Sequence, residues 1–299
     1  MISIVLGTYN RINKLKKCLE SIAPSMSELN IEVLISDGGS IDGTIDFIRS
    51  KPYNLNIKFT IDNCLFGVTY VYNNMFRCAK YPVLTWISDD STYEPEAICS
   101  LYNRVISEPK NTLVGCYINN QDGLGWKQYE NQKCCTVGGG FKELFERVDY
   151  WSEDYLTYAS DIDFSCKIIR SGGRVVFEPK AKIMHYMDTH DKLHNINNSL
   201  NSASLRFDIV YFSRRYDETG NTYPDIFIEK QNSLNEFLSI VNNVKKKISW
   251  GNFYTIYDYE SKVLLESMNV QFVNIFDPNK YDICIPLILK KHHAGLVFK

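Results

Sequence analysis

The chain has 299 residues, 44% of them hydrophobic and 23% charged, with 16 Gly and 9 Pro. That is enough for one large domain or two ordinary ones with self-sufficient cores, which excludes small cross-linked scaffolds and collagen-like or disordered chains. With 33 Lys and Arg against 35 Asp and Glu, the formal net charge is -2, so no global positive field exists to hold a nucleic acid or an anionic membrane.

Read in chain order, Ile2 to Leu6 is a short β-branched run that passes into Thr8-Tyr9-Asn10-Arg11 and then a helical pattern of Leu15, Leu19 and Ile22. Ile31 to Ile35 repeats the strand signal and runs into Ser36-Asp37-Gly38-Gly39-Ser40, followed by a helix over Ile41 to Arg49. Ile57 to Ile61 predicts a third strand, Val68 to Ala79 a helix, and Tyr81 to Ile87 a fourth strand that stops at Ser88-Asp89-Asp90. This β-α alternation predicts an α/β fold, a mostly parallel sheet flanked by helices with right-handed crossovers. Ligands in such sheets lie beyond the carboxyl ends of the strands, so Thr8 to Arg11, Asp37 and Asp89-Asp90 should converge on one crevice.

Cys116 to Ser152 reads as loop-rich, its glycines at 123, 125 and 138–140 letting loops pass close to a ligand. A short helix is expected over Phe164 to Ile169, then a strand over Arg174 to Phe177 leading to Pro179 and His185. Beyond about residue 200 the pattern changes to an amphipathic helix, with Ser233 and Glu236 as a capping box ahead of Leu234 to Val244. A β-α-β piece over Phe253 to Phe276 follows. The expected division is therefore 1–200 and a small α/β or helical extension at 201–299.

The longest apolar runs, Ile2 to Leu6 and Ile283 to Leu289, fall far short of the roughly 18 residues of a membrane span, so no transmembrane segment is expected. The first residues lack the pattern of a secretory signal, which makes a cytoplasmic location the expectation. The 9 cysteines are scattered, with no Cys-x-x-Cys pair, and read as buried thiols.

Asp89-Asp90 at a strand end offers the hard oxygens that Mg2+ or Mn2+ takes alongside a diphosphate. Singly, each motif has a plain structural reading: Asp89-Asp90 as a solvated turn, Asp161-Ile162-Asp163 as a helix start, His185 as a hydrogen-bonded histidine. His190 and His194 lack a third ligand, Lys245-Lys246-Lys247 and Lys290 to His293 read as solvated faces, and Asn197-Asn198-Ser199 as an unused glycosylation triplet.

Order and spacing change that. Thr8-Tyr9-Asn10, Ser36 to Ser40 followed by Asp42-Gly43-Thr44, Asn73, Asp89-Asp90, and Asp161-x-Asp163 leading through Gly172, Pro179 and His185 together resemble the family 2 glycosyltransferases of GT-A fold, over residues 1–190. The resemblance implies a nucleotide-sugar site made of Thr8, Tyr9, Asn10, Arg11, Asp37, Asn73 and Asp89, with Asp89 toward the ribose. It implies Asp90 and His185 as ligands of Mn2+ or Mg2+, and Asp161 as the general base. An Asp37 carboxylate accepting the N3–H of uracil favours UDP over CMP donors, although dTDP offers the same imide. Ser88, Tyr72, Ser160 and Lys167 stand where the family usually has Asp, Arg, Glu and Arg.

The implied reaction is metal-assisted transfer with inversion from a nucleoside-diphosphate sugar, UDP-sugar favoured, to a hydroxyl of a glycan or other acceptor. The loops around Tyr117 to Gly140 would choose the acceptor, and residues 201–299 would serve acceptor recognition, docking or a homodimer. The rival readings are a dinucleotide-dependent oxidoreductase, for which Gly123-Leu124-Gly125 lacks the third glycine; a nucleotidyltransferase, which wants a basic glycine-rich loop after the first strand; and an inactive GT-A domain acting as a binding or assembly module.

Overall fold

β1 (Ile2–Thr8) and β2 (Ile31–Asp37) are buried almost end to end and pair in parallel, with Ile2 opposite Ile31 and Thr8 opposite Asp37. Continuous β-branched and leucine runs of this kind suit central strands covered by helices on both faces. β3 (Asn56–Ile61) adds in parallel to β2, and β4 (Val83–Trp86) in parallel to β1. The shared register brings Thr8 and Asp37 to one end, where β4 also terminates.

The computed structural model describes residues 1–62, 67–120, 134–155, 158–186, 204–218, 227–232, 235, 283–289 and 292–298. Four further strands complete one sheet: β5 (Ser91–Tyr93), β6 (Thr112–Asn119), β7 (Gly138–Phe141) and β8 (Arg174–His185). The order is β3-β2-β1-β4-β7-β6-β8-β5. β7 runs antiparallel to β4 and β6, and β5 antiparallel to β8, while the other four pairings are parallel. The parallel core is as expected, and the mixed half comes from the middle of the chain.

Helices cover both faces. Leu15, Cys18, Leu19 and Ile22 of α1 (Ile12–Ile22) and Ile98, Leu101 and Val105 of α4 (Ala97–Ser107) pack into one buried cluster; α2 (Thr44–Arg49) adds Ile48. On the other face α3 (Val68–Cys78), α5 (Lys142–Arg147) and α6 (Ser160–Arg170) bury Phe76, Phe145 and Phe164 around Trp86 of β4. Among the described residues no helix is long and apolar enough to cross a membrane. Cys18, Cys99, Cys116, Cys134, Cys135 and Cys166 are buried free thiols, and Cys78 is exposed.

The loop-rich reading of Cys116 to Ser152 is corrected in its described part, which holds the end of β6, β7 and α5. Gly138-Gly139-Gly140 lines no ligand loop; it is β7 itself, wedged between β4 and β6. A Cβ on Gly138 would run into Cys135 Sγ and the Val114 carbonyl, and one on Gly139 would lie 2.8 Å from the Leu84 carbonyl. Gly138→Ala should therefore lower the urea midpoint by a stability loss of about 1–3 kcal/mol, the usual cost of overpacking; an unchanged midpoint would mean that β7 is not squeezed there.

α7 (Ser204–Arg215) leads into the antiparallel ribbon of β9 (Tyr216–Glu218) and β10 (Phe227–Glu229). β11 (Ile283–Leu289) and β12 (His292–Phe298) form an antiparallel hairpin. Outside the described residues lie Gly123 to Gly125, His190, His194, Asn197 to Ser199, Lys245 to Lys247, almost all of the expected helix at 233–244, and the β-α-β piece at 253–276. The dimer expectation, resting on 201–299, lies largely there too.

Candidate active site

The loops after β1 and β2 are laced together at the carboxyl end of the sheet. The Thr8 carbonyl accepts the Gly38 N–H at 2.9 Å. Asn10, in the left-handed region at φ 51°, donates its N–H to Ser40 Oγ at 2.7 Å, and its Oδ1 accepts the Ile41 N–H at 2.8 Å. Asn is among the residues that tolerate this conformation, and its side chain bridges the two loops. Asp42 accepts the Ile12 N–H at the start of α1 at 3.0 Å and caps Thr44 at the start of α2. Burial works against its ionisation, yet these bonds hold its carboxyl below the ordinary value. Spacing alone gave no sign that Asp42 joins both helices.

Asp37 is fully buried, and its Oδ1 accepts N–H bonds from Gly39 at 2.9 Å and Ser40 at 2.7 Å. Its Oδ2 is also buried and has no hydrogen-bond partner among the described residues. A carboxylate oxygen out of water with nothing to accept from is costly, and a bound ligand's donor would satisfy it. Tyr9, the first residue after β1, is half-buried.

Asp89 and Asp90 follow β4. Thr8 Oγ1 donates to Asp89 Oδ2 at 2.8 Å. The Arg11 guanidinium bridges the pair, 2.8 Å from Asp89 Oδ1 and 3.0 Å from Asp90 Oδ2, with its side chain only 8% exposed. Burial pushes the Asp89 carboxyl up to about 6 even with Arg11 against it. Burial acts likewise on Asp90, but the His185 imidazole and Arg11 outweigh it and hold that carboxyl below the ordinary value. The Tyr72 hydroxyl donates to the Ile87 carbonyl at 3.1 Å and fixes the end of β4.

His185 Nε2 lies 3.4 Å from Asp90 Oδ1, a buried oxygen without a hydrogen-bond partner among the described residues. The other ring nitrogen, Nδ1, sits 3.1 Å from Asn120 Oδ1. The two ring nitrogens of His185 thus face Asn120 on one side and Asp90 on the other. Among the described residues no cluster of three or more His, Cys, Asp or Glu is placed to hold a metal. One carboxylate oxygen and one imidazole nitrogen nonetheless fit a divalent cation whose other ligands are phosphate oxygens and water, as is usual for Mg2+.

Asp161 is in the first turn of α6, half-buried. Burial raises its carboxyl above the ordinary value, against bonds from the helix's first N–H groups and from Thr136. The Thr136 carbonyl in turn accepts the indole N–H of Trp86 at 2.8 Å, so Asp161 is joined through one residue to the strand that ends at Asp89 and Asp90. Cys135 N–H donates to Ser165 Oγ, which donates to the Asp161 carbonyl. Thr136 and Asn120 carried no signal in the sequence, because each acts through a partner far along the chain.

Asn73 donates from Nδ2 to the Trp151 carbonyl and Glu153 Oε1, and accepts the Trp151 N–H, so its amide is committed to the segment before α6. Lys167 donates to the Tyr150 carbonyl at 2.6 Å.

The sequence pattern described as Glycosyl transferase family 2 matches residues 3–171. Among curated proteins, the chondroitin synthase of Pasteurella multocida (strain Pm70) is 23% identical over 98% of this chain and 32% of its own length. A validoxylamine A glucosyltransferase of Streptomyces hygroscopicus subsp. jinggangensis is 31% identical over 39% of this chain and 28% of its own. The chain thus spans about a third or less of these relatives. Among solved structures, the mannosyltransferase PcManGT of Pyrobaculum calidifontis, in complex with GDP-Man and Mn2+, superposes with a TM-score of 0.57 at 15% identity, over 90% of this chain and 85% of that one. S. aureus TarS 1-349 in complex with UDP-GlcNAc gives 0.53 at 15% identity, over 89% of this chain and 79% of that one.

Proposed function

The chain belongs to glycosyl transferase family 2, and from that premise we propose that it transfers a sugar from a UDP-sugar to an acceptor hydroxyl with inversion, Asp161 acting as general base. The observation that carries this reading is the pair of buried carboxylate oxygens without a hydrogen-bond partner among the described residues, Asp37 Oδ2 at the end of β2 and Asp90 Oδ1 just beyond β4, the two strands that flank β1. One awaits a hydrogen-bond donor and the other a cation or a donor, which matches the two ends of a nucleoside diphosphate.

The base preference follows from Asp37. Its Oδ1 is taken by two backbone N–H groups, leaving one oxygen, which suits the single imide N–H of uracil. Guanine presents two adjacent donors and would want both oxygens; cytosine presents none at N3. Asp89 would accept from the ribose, while Arg11, already against both carboxylates, supplies positive charge beside the diphosphate. Bound at Asp90 and His185, Mn2+ or Mg2+ would neutralise charge gathering on the leaving phosphate. Asp161 takes the proton of the attacking hydroxyl on the face opposite the leaving group, which gives inversion in a single displacement.

The test is nucleotide binding and donor turnover. UDP with Mn2+ should raise the melting temperature more than CDP or GDP, since a ligand at a hundred times its Kd adds about 2.7 kcal/mol. A panel of UDP-sugars should release UDP slowly to water. If no nucleotide stabilises the protein and no donor releases its nucleoside diphosphate, the proposal fails.

A further inference from the structure

Asp163 is two residues beyond Asp161 on α6, which turns its side chain about 200° around the helix axis. It faces away from Thr136 and into α7 and β9. The carboxylate is completely buried, and its Oδ1 accepts from the Tyr216 hydroxyl at 2.7 Å and the Tyr155 hydroxyl at 3.4 Å. Arg215 Nε lies 3.3 Å from the same oxygen and is its ion-pair partner among the described residues. A buried carboxylate without a cation is strongly disfavoured, so Arg215 determines whether α6 can sit in this orientation.

The grip extends along the whole helix. Before it, Asp208 accepts the Tyr158 N–H at 2.6 Å, the Tyr211 hydroxyl donates to Asp154 at 2.9 Å, and Arg215 reaches Ser152 Oγ at 3.3 Å. At its far end Arg170 pairs with Glu229 at 2.5 Å, and Glu229 lies 3.8 Å from Arg215 Nε. α7, β9 and β10 therefore hold α6 at its entry, its first turn and its exit.

We propose that Arg215 is a positioning residue for sugar transfer: with Tyr216 it locks Asp163, fixes the rotation of α6, and so aims Asp161 on the opposite side of the same helix. The segment after residue 200 then completes the catalytic site instead of forming a separable extension. This rests on the assignment of Asp161 as base. The expected penalty is kinetic, because a displacement of about 1 Å at the reacting groups can cost about a hundredfold in rate while the nucleotide, held by the loops after β1 and β2, is unaffected.

The experiment compares wild type, Arg215→Gln, Arg215→Lys and Tyr216→Phe for UDP release, UDP affinity and hydrogen exchange of the α6 amides. For Arg215→Gln, kcat should fall about ten- to a hundredfold with UDP affinity and donor KM within about twofold, and α6 should exchange faster. Arg215→Lys, which keeps the charge, should recover most of the rate. Tyr216→Phe removes one hydroxyl with little change in packing; it should slow turnover by a smaller factor and keeps the question answerable if Arg215→Gln does not fold. A folded Arg215→Gln or Tyr216→Phe protein with wild-type kcat overturns the positioning role alone. So does a loss in which kcat and UDP affinity fall together. A wild type that releases no UDP overturns the transferase reading, and this proposal with it.

Discussion

Asp161→Asn should lower the rate of sugar transfer about 10²–10⁴-fold, the range that a positioned general base supplies, while UDP binding stays close to wild type. The two halves separate because Asp161 is tied to Thr136 and the start of α6, whereas the nucleotide loops are tied to one another through Asn10, Ser40 and Asp42. The substitution should also leave the protein at least as stable at neutral pH. The folded carboxyl titrates above its unfolded value because of burial, so the fold favours the protonated form, and that contribution to stability is lost as pH rises through the folded value. A neutral amide of the same shape removes that cost. The same shift sets the acid limb of activity: turnover should fall as pH drops through the raised value of Asp161, because only the ionised carboxylate accepts the proton. Measuring kcat/KM against pH together with thermal melts of the variant checks both points. An Asn variant that turns over at more than about a tenth of the wild-type rate would remove Asp161 from the chemistry.

The parts of this site that lie at strand ends were legible in the sequence, and the parts that act across the fold were not. Runs such as Ile2 to Leu6 and Ile31 to Ile35 show no alternation because both faces of β1 and β2 are covered, and that lack of alternation is itself the mark of a parallel core. Once those strands are placed, Thr8, Asp37 and Asp89 must converge. β7 was invisible because three successive glycines carry no strand propensity; they are required by the close approach of β4 and β6, whose residues are far away in sequence. Asn73 could be assigned a donor-side place by resemblance, but the hydrogen-bond partners of Asn73 and Lys167 at 149–153 could not be read from spacing. The division at residue 200 likewise follows a change in local pattern, whereas Asp163 and Arg215 join across it.

Arg11→Met should be the most destabilising single change at the site, by about 3–5 kcal/mol at neutral pH, the usual result of stripping the partner from a buried ion pair. At about 2–4 °C per kcal/mol the melting temperature would fall by roughly 10 °C. Arg11 is 2.8 Å from one carboxylate and 3.0 Å from the next, and the Asp89 and Asp90 side chains are 4% and 14% exposed, so water cannot replace it. The pH dependence has a definite sign. Asp89, at about 6 in the folded protein, favours the protonated state, so its contribution to stability is present below its unfolded value and disappears as pH rises through about 6. Removing Arg11 raises that carboxyl further, and lowering the pH from 7 to 5 should therefore restore much of the lost stability by protonating Asp89. Asp90 works the other way: held below its ordinary value, it stabilises above about pH 4 and stops doing so in stronger acid. Urea midpoints of wild type and variant at pH 7 and pH 5 decide the matter. A gap between the two proteins that does not narrow at pH 5 would show that Arg11 acts here through its packed methylenes and not through its charge.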